Sequence, residues 1–433
     1  MTYLSSLTLT AFRSYSRVGL EAQPGLVVLT GVNGAGKTNI LEAISLLSPG
    51  RGLRRARLSE VQQFGSDVPW AVNAHLITSS PVRGRTEVGA AAATHPPPRP
   101  HPALPLTGEG METVIGTGKD PATPDSDRRI VLLDGNKIGQ PELNEHLAVT
   151  WLTPAMDRLW TDTPGTRRRF LDRLTAALDP AHTTRLNRYE DALAERNKLL
   201  KDGRMDDAWL SSIEHTLATE GVAVMAARRE LVAGLGAILS SSPARGRIEV
   251  GAGPQESLLH EERPPPPCPP PREGGFPSPI LSLEGIENWL ADGPALLIED
   301  RLREELAKAR RFDAATGITT IGPHRSDLLA VHPEKNMPAQ LCSTGEQKAL
   351  LISLILGHAQ LLKMQRNRPP ILLLDEIGAH LDENRRESLY NQLFLLGSQV
   401  WMTGADSSLF SPLFGRVLCY EIGAGTVRET APV

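Results

Sequence analysis

The sequence contains only three cysteines, Cys268, Cys342 and Cys419, and no two of them form a Cys-x-x-Cys pair. This spacing indicates neither a zinc site nor a disulfide framework. Long apolar runs are missing too, since a run such as residues 349–356 is too short to cross a bilayer. Residues 1–4 show no basic stretch leading into an apolar core, so no signal peptide is indicated. Together these absences predict a protein of the reducing cytoplasm with no membrane partner.

An excess of basic charge is also missing. The formal net charge is −4 at pH 7, so bulk charge does not attract the protein to a polyanion. Any DNA-binding surface must therefore be a local patch. The first candidate patch consists of Arg51, Arg54, Arg55 and Arg57, and the second is the run from Arg167 to Arg173. For the first patch, a solvated basic surface beside acidic neighbours remains the alternative.

The strongest positive signal is a Gly-rich segment that follows the β-prone run 26–30 and precedes a helical apolar pattern over 40–47. Strand, Gly-rich loop and helix form the context of a phosphate-binding P-loop. Backbone N–H groups of such a loop and of the helix N-terminus surround an anion, Lys37 would reach the β- and γ-phosphates of ATP, and Thr38 would ligate Mg²⁺. The predicted nucleotide-binding residues are Gly31, Val32, Asn33, Gly34, Ala35, Gly36, Lys37 and Thr38.

A second element lies far along the chain, where four apolar residues precede Asp375 and Glu376. A buried strand that ends in acids predicts the Walker B arrangement, in which Asp375 holds Mg²⁺ and Glu376 positions the attacking water. The pattern is weak alone and strong when paired with a P-loop. The predicted catalytic residues are therefore Lys37, Asp375 and Glu376, and the predicted Mg²⁺ ligands are Thr38 and Asp375.

The third element is Ser-Thr-Gly-Glu-Gln at 343–347, which precedes a helical apolar pattern. Ser343 and Glu346 have the spacing of a capping box, and a capped helix is one interpretation. The other is an anion site that faces the γ-phosphate held by a second copy of the chain. Two identical chains would then close two composite sites about a two-fold axis.

The middle of the chain combines helical and proline-rich segments. Apolar stripes within 166–235, broken at 201–204, predict an αα-hairpin arm with nearly balanced charges, most of which lie on solvated faces. Two proline-rich segments, about 79–111 and about 241–279, open with similar sequences and have no apolar period. We expect both to be disordered insertions in surface loops, the first within a β-meander. A polyproline ligand for a partner domain is the alternative.

These features predict an α/β fold with a P-loop ATPase lobe, in which helices flank a mixed sheet, and a mainly helical second lobe with the short arm. The ATPase lobe would comprise residues 1–160 and 321–433, and the helical lobe residues 161–320. The strands predicted within residues 4–30 would form the antiparallel start of the ATPase lobe, with the P-loop after its inner strand.

The P-loop, the Ser-Thr-Gly-Glu-Gln signature and Leu-Leu-Leu-Asp-Glu followed by Ala-His-Leu-Asp resemble the ABC-type ATPases of the SMC class. Together with Phe-Arg-Ser-Tyr at 12–15 and Gly-Pro-His-Arg-Ser-Asp at 322–327, they resemble the RecF family of bacterial recombination mediators. The resemblance covers nearly the whole chain except the proline-rich segments.

The resemblance implies an ATP-dependent homodimer that binds DNA at gaps or junctions in recombinational repair and replication restart. It would help RecO and RecR load RecA, and slow, DNA-dependent ATP hydrolysis would release it. The residues to which the resemblance assigns a role are Arg13 beside the phosphates, Ser343, Gly345 and Glu346 on the γ-phosphate of the partner, and Asp382 at the dimer seam.

Two departures separate the chain from transporter ATPases. Residues 154–157 lack the expected Gln, and residues 401–406 lack the expected His. Thr403 or Asp406 is predicted to sense the γ-phosphate instead. A transporter ATPase subunit remains the alternative function, which the signature and the large helical lobe disfavour. A purely structural SMC-like bridge would need heptads over many turns, and the arm is too short.

Overall fold

The computed structural model describes residues 2–78, 111–120, 122, 128–203, 206–241 and 275–430. The strands are β1 (Thr2–Phe12), β2 (Tyr15–Glu21), β3 (Leu26–Thr30), β4 (Ala71–Thr78), β5 (Met111–Lys119), β6 (Arg129–Leu133), β7 (Asn136–Ile138), β8 (Val149–Leu152), β9 (Ile280–Glu284), β10 (Asp327–His332), β11 (Met337–Pro338), β12 (Ile371–Leu374), β13 (Val400–Gly404), β14 (Leu418–Ile422) and β15 (Val427–Thr430). The helices are α1 (Lys37–Ser45), α2 (Leu58–Val61), α3 (Leu143–His146), α4 (Pro164–Leu178), α5 (His182–Lys201), α6 (Asp207–Ser241), α7 (Ala295–Thr316), α8 (Thr344–Arg366) and α9 (Glu383–Leu396).

A mixed sheet of six strands carries the P-loop, in the order β15-β14-β3-β13-β12-β8. All neighbours pair in parallel except β14 and β15, which are antiparallel. Its strands come from both ends of the chain, as the sequence predicts. Strands β8, β12 and β13 are buried along their whole length, as expected for parallel strands covered on both faces.

A second sheet is antiparallel, in the order β2-β1-β4-β5-β6-β7. The prediction that the first strands and the P-loop strand share one antiparallel unit is wrong, because β3 lies in the mixed sheet between β14 and β13. Four of the five residues of β3 are buried, and only a strand covered on both faces buries consecutive residues. The predicted β-meander is confirmed, since β4, β5, β6 and β7 are successive neighbours.

The predicted disorder of the proline-rich segments concerns residues 79–110 and 242–274, which lie outside the described residues. The described chain resumes at residue 275, and Phe276 is buried in the core, so residues just before the expected boundary at about 279 pack on the folded part of the protein. A third sheet, which the sequence analysis did not predict, joins β9, β10 and β11 directly after this segment.

Two apolar cores cover the faces of the mixed sheet. Val27 and Leu29 of β3 belong to the core shared with α1 and the antiparallel sheet, whereas Leu26 and Val28 belong to the core shared with α4, α8 and α9. This alternation follows from the two-residue period of a strand. The arrangement places α1 between the two sheets.

A third core joins α5, the first half of α6, and α7. Helices α5 and α6 form the predicted hairpin, and the predicted break is confirmed because α5 ends at Lys201 and Gly203 has a φ of +69°. One important charge of the arm is an exception to the prediction that most are solvated. Arg196 is fully buried, and its guanidinium pairs with Glu214 at 3.0 Å and Asp313 at 2.7 Å. The reason is that α7 packs on the hairpin and covers this face.

Substitution of Asp313 by alanine should therefore lower the free energy of unfolding by about 3–5 kcal/mol, because it leaves part of the buried Arg196 charge uncompensated. Asp300→Ala is the matched control on the same helix, since Asp300 pairs with Arg303 on the surface. That change should cost at most about 1 kcal/mol. Urea unfolding followed by circular dichroism measures both, and equal losses would contradict the prediction.

Candidate ATPase site

The loop between β3 and α1 has a backbone that only glycine adopts readily at several positions. Gly31, Gly34 and Gly36 have φ values of +139°, +83° and +112°. A Cβ at Gly36 would lie 2.6 Å from Tyr15 Oη, and one at Gly31 would overlap the carbonyl oxygen of Ile422. Conformation and close packing therefore both require glycine here.

Lys37, the first residue of α1, folds back over this loop. Its Nζ donates hydrogen bonds to the carbonyl oxygens of Gly31 at 2.6 Å and Val32 at 3.0 Å. Burial lowers the pKa of Lys37, while the nearby charges of Glu376 and Asp375 act in the opposite direction. The ammonium group thus lies between the P-loop and the two acids at the end of β12.

Thr38 and Asp375 are in direct contact although 337 residues separate them in sequence. Thr38 Oγ1 lies 2.9 Å from Asp375 Oδ1 and 3.2 Å from Oδ2. Asp375 comes directly after β12, and its backbone N–H donates to the carbonyl oxygen of Leu152 at 2.9 Å. A hydroxyl beside a carboxylate is the kind of oxygen pair that binds Mg²⁺ together with substrate phosphates, so the residues present fit this metal.

Glu376 occupies a strained turn. Its φ and ψ of +50° and +30° lie in the left-handed region, which non-glycine residues rarely adopt. Its backbone N–H donates to Thr403 Oγ1 at 2.9 Å, and the same hydroxyl donates to Asp375 Oδ1 at 2.8 Å. Thr403 is fully buried in β13. One hydroxyl therefore fixes both acids, a positioning role that the sequence analysis did not identify.

The γ-phosphate sensor predicted at Thr403 or Asp406 stays a prediction. The Thr403 hydroxyl proton is used on Asp375, as described above. Asp406 is exposed and accepts a hydrogen bond from the backbone N–H of Ser408 at 2.8 Å. Both side chains thus have a local partner within the described residues.

The signature segment begins α8, and its capping box is present. The backbone N–H of Ser343 donates to Glu346 Oε2 at 2.9 Å, and the N–H of Glu346 donates to Ser343 Oγ at 3.4 Å. An ion pair with Lys335 and the hydrogen bonds from Ser343 lower the pKa of Glu346 to about 2. Ser343 and Gly345 are exposed. Asp382 is also exposed and caps α9 by accepting from the N–H of Arg385 at 2.8 Å.

Arg13 lies against α1. Its guanidinium donates to both carboxylate oxygens of Glu42, at 2.9 and 2.6 Å, and to the carbonyl oxygen of Glu60 at 2.7 Å. Arg54 donates to Glu42 at 2.9 Å and to Asn39 at 2.7 Å. Glu42 is 1 % exposed, so it is a buried anchor for two of the predicted site arginines. A glutamate within an apolar helical stripe is the only sequence signal that could have identified it.

The arginine run from 167 to 173 is not a uniform basic surface. Arg167 is buried and donates to both carboxylate oxygens of Asp327, at 2.7 and 2.5 Å. The guanidinium of Arg173 lies 4.4 Å from the ring centroid of Trp151. Arg167 is thus held by Asp327 and has a structural role, and the DNA contact suggested for the run from Arg167 to Arg173 stays a prediction. The other candidates, Arg51, Arg54, Arg55 and Arg57, are all exposed.

Comparisons with known proteins identify the family of the chain. A protein-family model described as an AAA domain matches residues 6–65, which include the P-loop and α1. The DNA replication and repair protein RecF of Mesorhizobium japonicum is 42% identical over 99% of this chain and 98% of its own length. The RecF protein of Allorhizobium ampelinum is 41% identical over 98% of both chains. The chain belongs to the RecF family.

Solved RecF structures show the same fold. One, described as the recombination mediator protein RecF-ATPrS in the RecFOR pathway, has a TM-score of 0.75 at 22% identity and covers 99% of this chain and 98% of that one. Another, described as RecF-ATP, has a TM-score of 0.73 at 21% identity over the same shares. The family resemblance and the α/β fold predicted from the sequence are confirmed, and the transporter alternative is not favoured. Within the described residues, no helix combines the length and apolarity needed to span a bilayer.

Proposed function

We propose that this RecF-family chain is an ATP-dependent DNA-binding switch in DNA replication and repair. ATP closes a homodimer, the closed dimer holds a DNA gap or junction, and slow hydrolysis releases it. Residues 1–160 and 321–433 would act as the ATPase lobe and residues 161–320 as the helical lobe. The names of the relatives support a repair role, and the RecF structures described with ATP and ATPrS support the nucleotide.

The observation that carries the proposal is the contact between Thr38 and Asp375, with Lys37 and Glu376 beside them. Lys37 would exchange its two loop carbonyls for the β- and γ-phosphates of ATP. Bound Mg²⁺ would neutralise the phosphate charge, and Thr38 and Asp375 would hold it. Glu376 would orient and polarise the attacking water, and Thr403 would hold both acids in place. Phosphoryl transfer depends mainly on such positioning and charge neutralisation.

The position of the signature supports the proposed dimer. Ser343 and Gly345 are exposed at the N-terminus of a 23-residue helix, where free backbone N–H groups and the helix dipole favour an anion. Among the described residues, no hydrogen bond or ion pair joins Ser343 or Glu346 to the P-loop. The γ-phosphate of a second copy is the anion that we assign to this segment, and Asp382 would lie at the seam.

We infer binding to DNA, RecO and RecR from membership of the RecF family. Both solved RecF structures are described as belonging to the RecFOR pathway. Exposed Arg51, Arg54, Arg55 and Arg57 are the proposed DNA contacts. RecA would be reached indirectly, through RecO and RecR.

The experiment that tests the function measures DNA binding with and without ATP and Mg²⁺ on gapped, single-stranded and double-stranded substrates. We expect ATP to raise the affinity for at least one substrate and added salt to weaken it, because arginine–phosphate contacts release counterions. An affinity for DNA that is the same with and without ATP on every substrate would contradict the proposal.

Substitution of Ser343 by arginine should block ATP-driven dimerisation and leave ATP binding by the monomer intact. A long cation at the exposed helix N-terminus removes the cap and fills the space that a γ-phosphate needs. Sedimentation velocity with ATP and Mg²⁺ measures the dimer, and a fluorescent ATP analogue measures binding.

The control for this variant is Ser212→Arg, which places the same side chain on an exposed position of α6. It should dimerise normally. Normal dimerisation of the Ser343 variant would refute the composite site.

A further inference from the structure

A cavity of about 290 Å³ lies between the segment after α1 and the helices α4 and α5. Residues 48–52 and Val149 and Trp151 of β8 form one wall, and α4 and α5 form the other. Helix α1 has nine residues and is about 14 Å long, and the cavity lies beyond its C-terminal end. The P-loop precedes its N-terminal end, so the cavity is separate from the nucleotide site.

Three guanidinium groups that line the cavity have no carboxylate partner among the described residues. They belong to Arg55, after α1, and to Arg169 and Arg173 of α4. Arg169 makes only weak contacts with its own helix, to Gly165 at 3.2 Å and to Thr166 at 3.4 Å. Like charges held together without a counter-charge are unfavourable in a partly desolvated place.

The electrostatic effect of this grouping is visible in the pKa values. Burial lowers the pKa of Arg173 to about 9, and the charge of Arg55 adds to the shift. Burial and the charge of Arg169 lower the pKa of Arg55. Arg169 thus makes the charge of Arg55 less favourable, and Arg55 that of Arg173, a repulsion that an anion between them would reduce.

The acids in the wall do not supply this charge. Asp172 accepts two hydrogen bonds from Arg228, at 2.8 and 2.9 Å, and one from His182 Nε2 at 3.0 Å. Glu190 is exposed and forms no ion pair with the three arginines. His182 is fully buried, and its Nδ1 has no hydrogen-bond partner. The cavity thus combines unbalanced positive charge with an unused polar atom.

We propose that this cavity binds one phosphate group through Arg55, Arg169 and Arg173. A phosphate accepts several hydrogen bonds in the forked geometry that guanidinium groups offer, and Arg173 is already oriented by its stacking on Trp151. The proposal deepens the DNA contact suggested above for Arg55 and does not depend on ATP binding. A bound phosphate would link the segment after α1 to helix α4, and so join the nucleotide-binding helix to the helical lobe.

Two kinds of ligand carry such a phosphate group: a free phosphate monoester and a nucleic-acid strand. Arginine modification by phenylglyoxal, mapped by mass spectrometry on the intact protein without ATP, reads the cavity directly. Three probes separate the sources: inorganic phosphate, a short single strand with a 5′-phosphate, and the same strand with a 5′-hydroxyl. Protection by the 5′-hydroxyl strand identifies an internal phosphodiester. Protection by the other two probes alone identifies a monoester.

Arg55, Arg169 and Arg173 should be protected by at least one probe, and Arg188, exposed on α5 outside the cavity, should not be. Arg169→Gln should weaken binding of the protecting probe by about tenfold, the effect of one lost charge-assisted hydrogen bond. Arg188→Gln removes the same charge and should change it little. ATP binding should be equal in both variants. Absence of protection by all three probes, or equal protection of Arg188, would overturn the site whether or not the proposed ATPase function holds.

Discussion

Replacing Lys37 with alanine should weaken ATP binding about thirtyfold or more, because truncation of one partner of a partly buried charge pair costs about 2–5 kcal/mol. Lys37 is 5 % exposed, and its Nζ already lies within 3.0 Å of two loop carbonyls that a phosphate would replace. Isothermal titration with ATP and Mg²⁺ measures the loss directly. Because dimerisation follows nucleotide binding in our proposal, ATP-dependent retention of DNA should disappear with it.

The matched control is Lys308→Ala, which removes an exposed lysine of α7 whose ion pairs with described residues are to Glu304 and Glu305 of its own helix. It should bind ATP normally. A thermal melt of both variants separates loss of binding from loss of fold. Unchanged ATP affinity in a folded Lys37 variant would remove the P-loop from the proposed mechanism.

Short motifs made the core of the candidate site predictable. The P-loop and the Walker B strand each depend on a local rule: glycines at positive φ, a helix that follows, and a buried strand that ends in acids. The two rules meet only if β3 and β12 lie in one parallel sheet, in which β13 separates them. The contact between Thr38 and Asp375 is therefore the feature of the candidate site that depends most on the fold, and their role as Mg²⁺ ligands stays a prediction.

Residues whose partners lie far away in the sequence were not predictable in the same way. Arg196 has the sequence environment of a solvated helix, and only the packing of α7 makes it a buried charge. Glu42 similarly looks like a surface residue of α1, but Arg13 and Arg54 reach it from two loops. The sequence shows which residues are charged. Whether such a residue is buried and paired depends on the distant helix or loop that packs over it.

The strained backbone of Glu376 is a further feature without a sequence signal. A left-handed conformation costs a non-glycine residue roughly 1–3 kcal/mol, and such strain persists where the surrounding structure enforces it. Here the hydrogen bond from its N–H to Thr403 and the end of β12 enforce the turn. In our proposal, this turn lets Asp375 serve the metal while Glu376 serves the water.

Substitution of Glu376 by glutamine should reduce ATP hydrolysis roughly a hundredfold or more, the range expected when a group that assists proton transfer is lost. Glutamine keeps the size and polarity of the side chain and the same backbone strain, so ATP binding and the thermal midpoint should remain unchanged. With hydrolysis blocked, the closed dimer should persist on DNA.

Glu387→Gln, an exposed position on α9, is the control and should hydrolyse ATP at the normal rate. Steady-state phosphate release and the lifetime of the DNA complex after dilution measure the two effects. Normal turnover by the Glu376 variant would assign the activation of water to another residue and leave the left-handed turn at the end of β12 without its proposed purpose.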